Sequence, residues 1–191
     1  MKKLPIGIYN FSEIVTEGYY YVDKTAYVHQ LAHAGKYYFL SWPRRFGKSL
    51  FVDTLRYAFE GRRELFKGLY LENAWDFEQV YLVLSFSLGR GRVTSLEELN
   101  IRLFSLLDDQ AQRHGMQCTY ELVADRFAEL IRKLQEKAGR RLVVLIDEYD
   151  KPILDNLKDV SRAEEMRDGL KNFYSVNPSS EYIDWTQAQT A

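Results

Sequence analysis

The sequence predicts an α/β fold, a mainly parallel sheet with helices on both faces. Three observations predict it. Residues 37–42, 80–87 and 141–150 have strand character, and the stretches between them have helical periodicity. The first strand runs into Gly47-Lys48-Ser49 and then a helix, and the third ends in Asp147 and Glu148. Alternating strands and helices imply right-handed crossovers and parallel pairing. Ligands of such sheets sit beyond the carboxyl ends of the strands, where both polar groups fall.

Each element has its own signal. In "DKTAYVHQLAHAG" Asp23 can cap a short helix and Gly35 can end it. "KYYFLSW" is aromatic-rich and bounded by turn residues, as a strand is. From Lys48, the residues Leu50, Leu55, Tyr57, Ala58 and Phe59 give a mostly apolar helix ending near Gly61. "VYLVLSFS" is apolar almost throughout, as a strand covered on both faces must be, and Gly89 and Gly91 then break the pattern. Ser95 with Glu98 forms a capping box before the stripe Leu96, Leu99, Leu103 and Leu106. A helix is expected over 119–137, with Val123, Phe127, Leu130 and Leu134 on one face. "RLVVLIDEYD" is the clearest strand, and Ser161 with Glu164 caps a last helix to about Tyr174. Residues 177–191, "NPSSEYIDWTQAQTA", read as a polar tail outside a domain covering 1–176.

Composition bounds the function. The chain has 191 residues, 46% hydrophobic, 28% charged and 15% aromatic, enough for one domain with a real core. Its formal net charge of −1 supplies no global field toward nucleic acid or an anionic membrane. The basic groups at 90–92 and 140–141 read as solvated loop ends. Cys118 is the one cysteine, so an intrachain disulfide is impossible and a reducing, cytoplasmic compartment is the expectation. The longest clean apolar run, 142–146, is far too short to span a membrane.

The chemistry concentrates in "SWPRRFGKSL". A polyphosphate presents several anionic oxygens. A loop entering a helix aims successive backbone N–H groups at them, assisted by the helix dipole. Pro43, Arg44, Arg45, Phe46, Gly47, Lys48, Ser49 and Leu50 are the residues expected to line that loop. Gly47 permits close approach and a positive φ. Lys48 can reach the β- and γ-phosphates, and the Ser49 hydroxyl can ligate Mg²⁺. Where the usual phosphate loop has its first glycine, this chain has Trp42. Pro43 pushes that residue into extended backbone, so Trp42 prolongs the strand and Pro43 opens the loop. The alternative is a solvated Gly-Lys-Ser turn. Arg44 and Arg45 have two roles open to them, pairing with phosphate oxygens or with acidic groups such as Asp150. At the end of "LVVLIDE", Asp147 is placed to hold Mg²⁺ opposite Ser49, and Glu148 to accept a proton from an attacking water. The plainer reading is a pair of acids where a strand meets solvent.

"LPIGIYNFSEIVTEGYYYVDKT", "FLSWPRRFGKSL", "LFKGLYLE" and "VLIDEYDKPI" together resemble the AAA-ATPase-like family of bacterial and archaeal proteins, from Leu4 to about Val176. The resemblance implies a P-loop NTPase three-layer sandwich that binds ATP and Mg²⁺, with Lys48 and Glu148 catalytic and Ser49 and Asp147 on the metal. That family replaces the first glycine of the loop too, most often with arginine. It also implies a C-terminal nuclease-like domain, which nothing here matches, and a further strand after "LKNFYSV" ending in a polar sensor residue. In related P-loop ATPases that strand lies between the strands carrying the two motifs. The fold is therefore expected to be incomplete at the C-terminus, missing the centre of its sheet, with no arginine finger assignable. Expected partners are the nucleotide, then a protein partner or second copy; nucleic acid enters by family analogy alone, and a membrane not at all. The rival to an ATPase is a nucleotide-binding or interaction module without turnover.

Three other groups are weighed. His29 and His33 have i, i+4 zinc spacing but no third ligand, so they read as solvent-facing or core histidines. Cys118 lacks a His/Asn constellation and reads as an inert thiol. Tyr19, Tyr20 and Tyr21 read as packing residues, with adenine stacking as the alternative.

Overall fold

A computed structural model describes residues 2–34, 37–40, 46–139, 142–174 and 183–187. Its elements, in chain order, are α1 (Phe11–Thr16), α2 (Thr25–Ala34), β1 (Tyr37–Leu40), α3 (Lys48–Phe59), a 3₁₀ turn (Arg63–Phe66), α4 (Leu71–Ala74) and β2 (Leu82–Ser87). Then come α5 (Leu96–Arg113), α6 (Val123–Ala138), β3 (Leu142–Asp147), α7 (Lys151–Leu154), α8 (Val160–Tyr174) and β4 (Ile183–Gln187). The fold is α/β with an all-parallel sheet in the order β1-β4-β3-β2.

Strand β3 shows why the sheet is covered on both faces. All six of its residues are buried. Leu142, Val144 and Ile146 join a cluster with Leu84, Phe86 and the inner faces of α5, α6 and α8. Val143 and Leu145 join a second cluster with Val83 and the aromatic residues of α1 and α3. Successive strand residues face opposite sides, so the alternation divides one apolar run between two cores. Phe127 stacks on Phe173 at 4.7 Å, and Phe86 meets Phe127 edge-on at 5.5 Å, which fixes β2, α6 and α8 to one another. Such pairs add about 0.5–1.5 kcal/mol each beyond area burial.

The expected gap at the centre of the sheet is not there. Residues 183–187 pair parallel with β1 on one side (Tyr37 with Asp184, Leu40 with Gln187) and with β3 on the other (Val143 with Ile183, Ile146 with Thr186). The stretch read as a polar tail thus supplies the strand between β1 and β3. The physical reason is backbone satisfaction: the facing edges of β1 and β3 carry donors and acceptors that need partners, whatever the side chains. Two further expectations shift and a third holds. Helix α6 starts at Val123 rather than near Thr119, because the Thr119 and Tyr120 N–H groups are taken by the Glu129 carboxylate at 2.7 and 3.2 Å. Helix α8 is capped by Asp159, which accepts the Arg162 N–H at 3.2 Å, rather than by Ser161. At α5, Ser95 accepts the Glu98 N–H at 3.2 Å as expected, while the Glu98 carboxylate also takes the Thr94 N–H at 2.7 Å.

Candidate functional site

Helix α3 begins where the phosphate loop was expected to end. Gly47, at φ 82° and ψ 33°, is its N-cap and lies in the left-handed region that glycine adopts at little cost. Its carbonyl accepts the Phe51 N–H at 2.9 Å, closing the first helical turn. The amides of the first turn have no intrahelical acceptor, as at any helix start. Phe46 is exposed. Leu50 faces the second core, where α3 packs against the sheet. Pro43, Arg44 and Arg45, together with Trp42, lie outside the described residues.

Asp147 is the last residue of β3, only 8% exposed, and no donor among the described residues reaches its Oδ1. Burial pushes its carboxyl above the ordinary aspartate value, and the nearby Asp150 adds to the rise. The Ser49 hydroxyl, the Lys48 ammonium and the Glu148 N–H oppose it by favouring the charged form. The same interactions bring residues 48, 49 and 147 together although their two elements are separated by about half of the chain. A buried acceptor without a donor is costly.

Glu148 follows directly. Its φ of 54° is the one positive value at a non-glycine position among the described residues. Strain of this kind costs about 1–3 kcal/mol and concentrates at functional sites. Burial and then the Asp147 charge push its carboxyl upward, while Lys151 and Lys48 pull it down. Its side chain lies against Gly89, where a Cβ would stand 2.0 Å from Oε2. The sequence marked Gly89 only as the end of a strand; the structure makes it the seat of this carboxylate. Ser87 pairs in register with Asp147, and the Leu88 N–H donates to the Asp147 carbonyl at 3.0 Å, so β2 and β3 deliver their loops side by side. The loop after β2 is tied to α7: Lys151 Nζ donates to the Gly91 carbonyl at 2.9 Å, Arg92 to that of Asp155 at 3.0 Å, and the buried Asn156 amide to that of Val93 at 2.7 Å.

Lys24 is a second residue that sequence reasoning left aside. Its Nζ donates to the Phe46 carbonyl at 2.8 Å. The tyrosine run divides: Tyr20 is exposed, while Tyr21 packs edge-on against Phe11 at 5.1 Å and reaches Thr54 of α3 at 3.5 Å. His33 Nδ1 shares a hydrogen bond with the His29 carbonyl at 2.8 Å. Among the described residues, no three His, Cys, Asp or Glu side chains gather as a metal centre. No helix among them is long and apolar enough to cross a membrane.

Fold and site together define an α/β protein in which a glycine-turned helix start meets a buried carboxylate at the carboxyl end of a parallel sheet. The chain belongs to the AAA-ATPase-like family, described as "Predicted AAA-ATPase", which matches residues 5–185 and so reaches into β4. It is 50% identical over 182 residues to an "Uncharacterized protein in vnfD 5'region" of Azotobacter chroococcum mcd 1. That match covers 94% of this chain and 35% of the relative, so the chain spans about a third of the length of the curated protein it matches. No solved structure matches.

Proposed function

We propose that this chain is a P-loop NTPase domain, a three-layer sandwich that binds Mg²⁺–ATP at the junction of α3 and β3 and hydrolyses it to drive a conformational change. One observation carries the reading: the orphaned, buried Oδ1 of Asp147 beside Ser49 and Lys48. That donor set fits magnesium, which needs oxygen ligands and is commonly held by one or two protein groups plus phosphate oxygens. Ser49 and Asp147 would hold the ion, and it would neutralise charge on the phosphates when bound. The Gly47–Leu50 amides bind the polyphosphate, and Lys48 stabilises the negative charge that accumulates as the terminal phosphoryl group transfers. Glu148 takes the proton of the attacking water as its oxygen bonds to phosphorus and the bond to the leaving diphosphate breaks. A carboxyl held above its ordinary value suits a base that works near neutral pH. The domain in this reading includes β4, and its partners are the nucleotide and then a second copy or another protein.

Calorimetric titration with Mg²⁺–ATP, run beside a phosphate-release assay, tests the proposal. Saturable binding with release supports it. Binding without release supports the rival module, for which a chain that spans about a third of its relative leaves room. Absence of binding refutes the ATPase and the nucleotide-binding module, and leaves an interaction module.

A further inference from the structure

The bond between Lys24 and the Phe46 carbonyl has a consequence for the phosphate loop. No peptide bond among the described residues is cis. In a trans peptide the C=O and the following N–H point in opposite directions. A donor that captures the Phe46 carbonyl on one side therefore turns the Gly47 N–H to the other. Lys24 does this at 2.8 Å, and its Nζ stands 4.0 Å from where a Cβ on Gly47 would be. The charge-assisted bond is stronger than a neutral one, and it spans the peptide immediately before the left-handed glycine. One and two residues further on, the Lys48 ammonium and the Ser49 hydroxyl act on the Asp147 carboxylate, whose Oδ1 has no donor among the described residues.

The backbone that carries Lys24 is itself fixed from two directions. Asp23 Oδ1 accepts the Thr25 N–H at 2.8 Å and the Thr25 hydroxyl at 2.7 Å, while Asp23 Oδ2 accepts the Tyr70 N–H at 2.7 Å. The Thr25 hydroxyl oxygen in turn accepts the Leu71 N–H at 3.1 Å. Asp-Lys-Thr at 23–25 is thus a clasp: its first and third residues grip the 70–71 turn, and its middle residue grips the loop. The lysine stem is long and flexible, so only an anchored backbone can hold its ammonium at one carbonyl.

We propose that Lys24 is a positioning residue of the phosphate loop, holding the 46–47 peptide so that its N–H faces the bound anion. This rests on the nucleotide-binding reading above. The test is titration of the wild-type chain, K24M and K24R with Mg²⁺–ATP and with Mg²⁺–ADP, each protein first checked by thermal melting. K24M keeps the aliphatic stem and removes the donor. The expected result is a loss in K24M of about tenfold in affinity, equal for both nucleotides, because a loop amide serves either. K24R, which can donate to the same carbonyl, recovers most of it. Unchanged affinity in K24M overturns the proposal while leaving the nucleotide site standing. A loss confined to ATP also overturns it, since that would place Lys24 on the terminal phosphate. A folded K24R as weak as K24M removes the donor role. Failure of the wild-type chain to bind either nucleotide sinks the underlying reading, and this inference with it.

Discussion

The substitution Gly89→Ala separates the cost to the fold from the cost to the chemistry. An added Cβ would stand 2.0 Å from Glu148 Oε2 and 2.8 Å from its Cδ, whereas real Cβ contacts do not fall below 3.0 Å. Going from 2.0 to at least 3.0 Å requires the carboxylate to withdraw by about 1 Å or more. The group in the way is the free end of a glutamate, which can rotate, and Gly89 does not hold a positive φ. The melting temperature is therefore expected to stay within a few degrees of wild type, as for Gly→Ala changes at compatible backbone, which alter stability by roughly 0.4–1 kcal/mol. A catalytic base displaced by an ångström, however, loses on the order of 10²-fold in turnover. The assay is steady-state phosphate release with Mg²⁺–ATP, beside a nucleotide titration. The expected outcome is a hundredfold fall, roughly, in kcat with Kd unchanged. Adding Glu148→Gln to Gly89→Ala should cost little more, because both act on one group. Wild-type turnover in the alanine variant would refute the assignment of that carboxylate to the reaction.

Further outcomes are expected. Lys48→Ala abolishes nucleotide binding in calorimetry, whereas Glu148→Gln retains binding and blocks phosphate release. Asp147→Asn removes magnesium-dependent binding yet melts at or above the wild-type temperature near neutral pH. Burial holds the Asp147 carboxyl above its unfolded value, so its charged form costs stability as pH rises through that window; a lower melting point in the variant would contradict this. Glu129 has the opposite sign. Burial pushes its carboxyl up, but Lys133, the Thr119 and Tyr120 amides and the Thr119 hydroxyl outweigh it and bring it from 4.5 down to about 2. Its contribution is complete above pH 4.5 and disappears as pH falls toward 2, so Glu129→Gln should lower the melting temperature at neutral pH and flatten its acid dependence. Identical acid profiles for the two proteins would count against that network.

What the sequence displayed and what it concealed follow from where side chains carry the information. Residues 142–147 are legible because a doubly covered strand must be apolar at every position, and Gly47 because only glycine takes φ 82° freely before a helix. The expectation that Lys48, Ser49, Asp147 and Glu148 share one end of the sheet comes from the rule that places ligands at strand ends. β4 was not, because Asp184, Thr186 and Gln187 break both apolar and alternating patterns, and its place is set by backbone pairing. The roles of Gly89 and Lys24 were hidden for another reason. Each acts on a residue far away in sequence, Glu148 in one case and Phe46 in the other. The short turns of α4 and α7 carry too few residues for a period to show.

The spatial order of the strands differs from their order of synthesis. β1, β2 and β3 leave the ribosome first, yet β1 and β3 do not pair with each other and must wait for the segment that lies between them. Until residues 183–187 emerge, the facing edges of β1 and β3 lack their strand, although α3, bearing the lysine and serine, packs on Val143 and Leu145 of the strand that ends in the acids. β1, from which the chain runs toward α3, takes its place in the sheet only by pairing with that segment, so nucleotide added to ribosome-bound chains should protect them fully from protease only after residues 183–187 have cleared the exit tunnel.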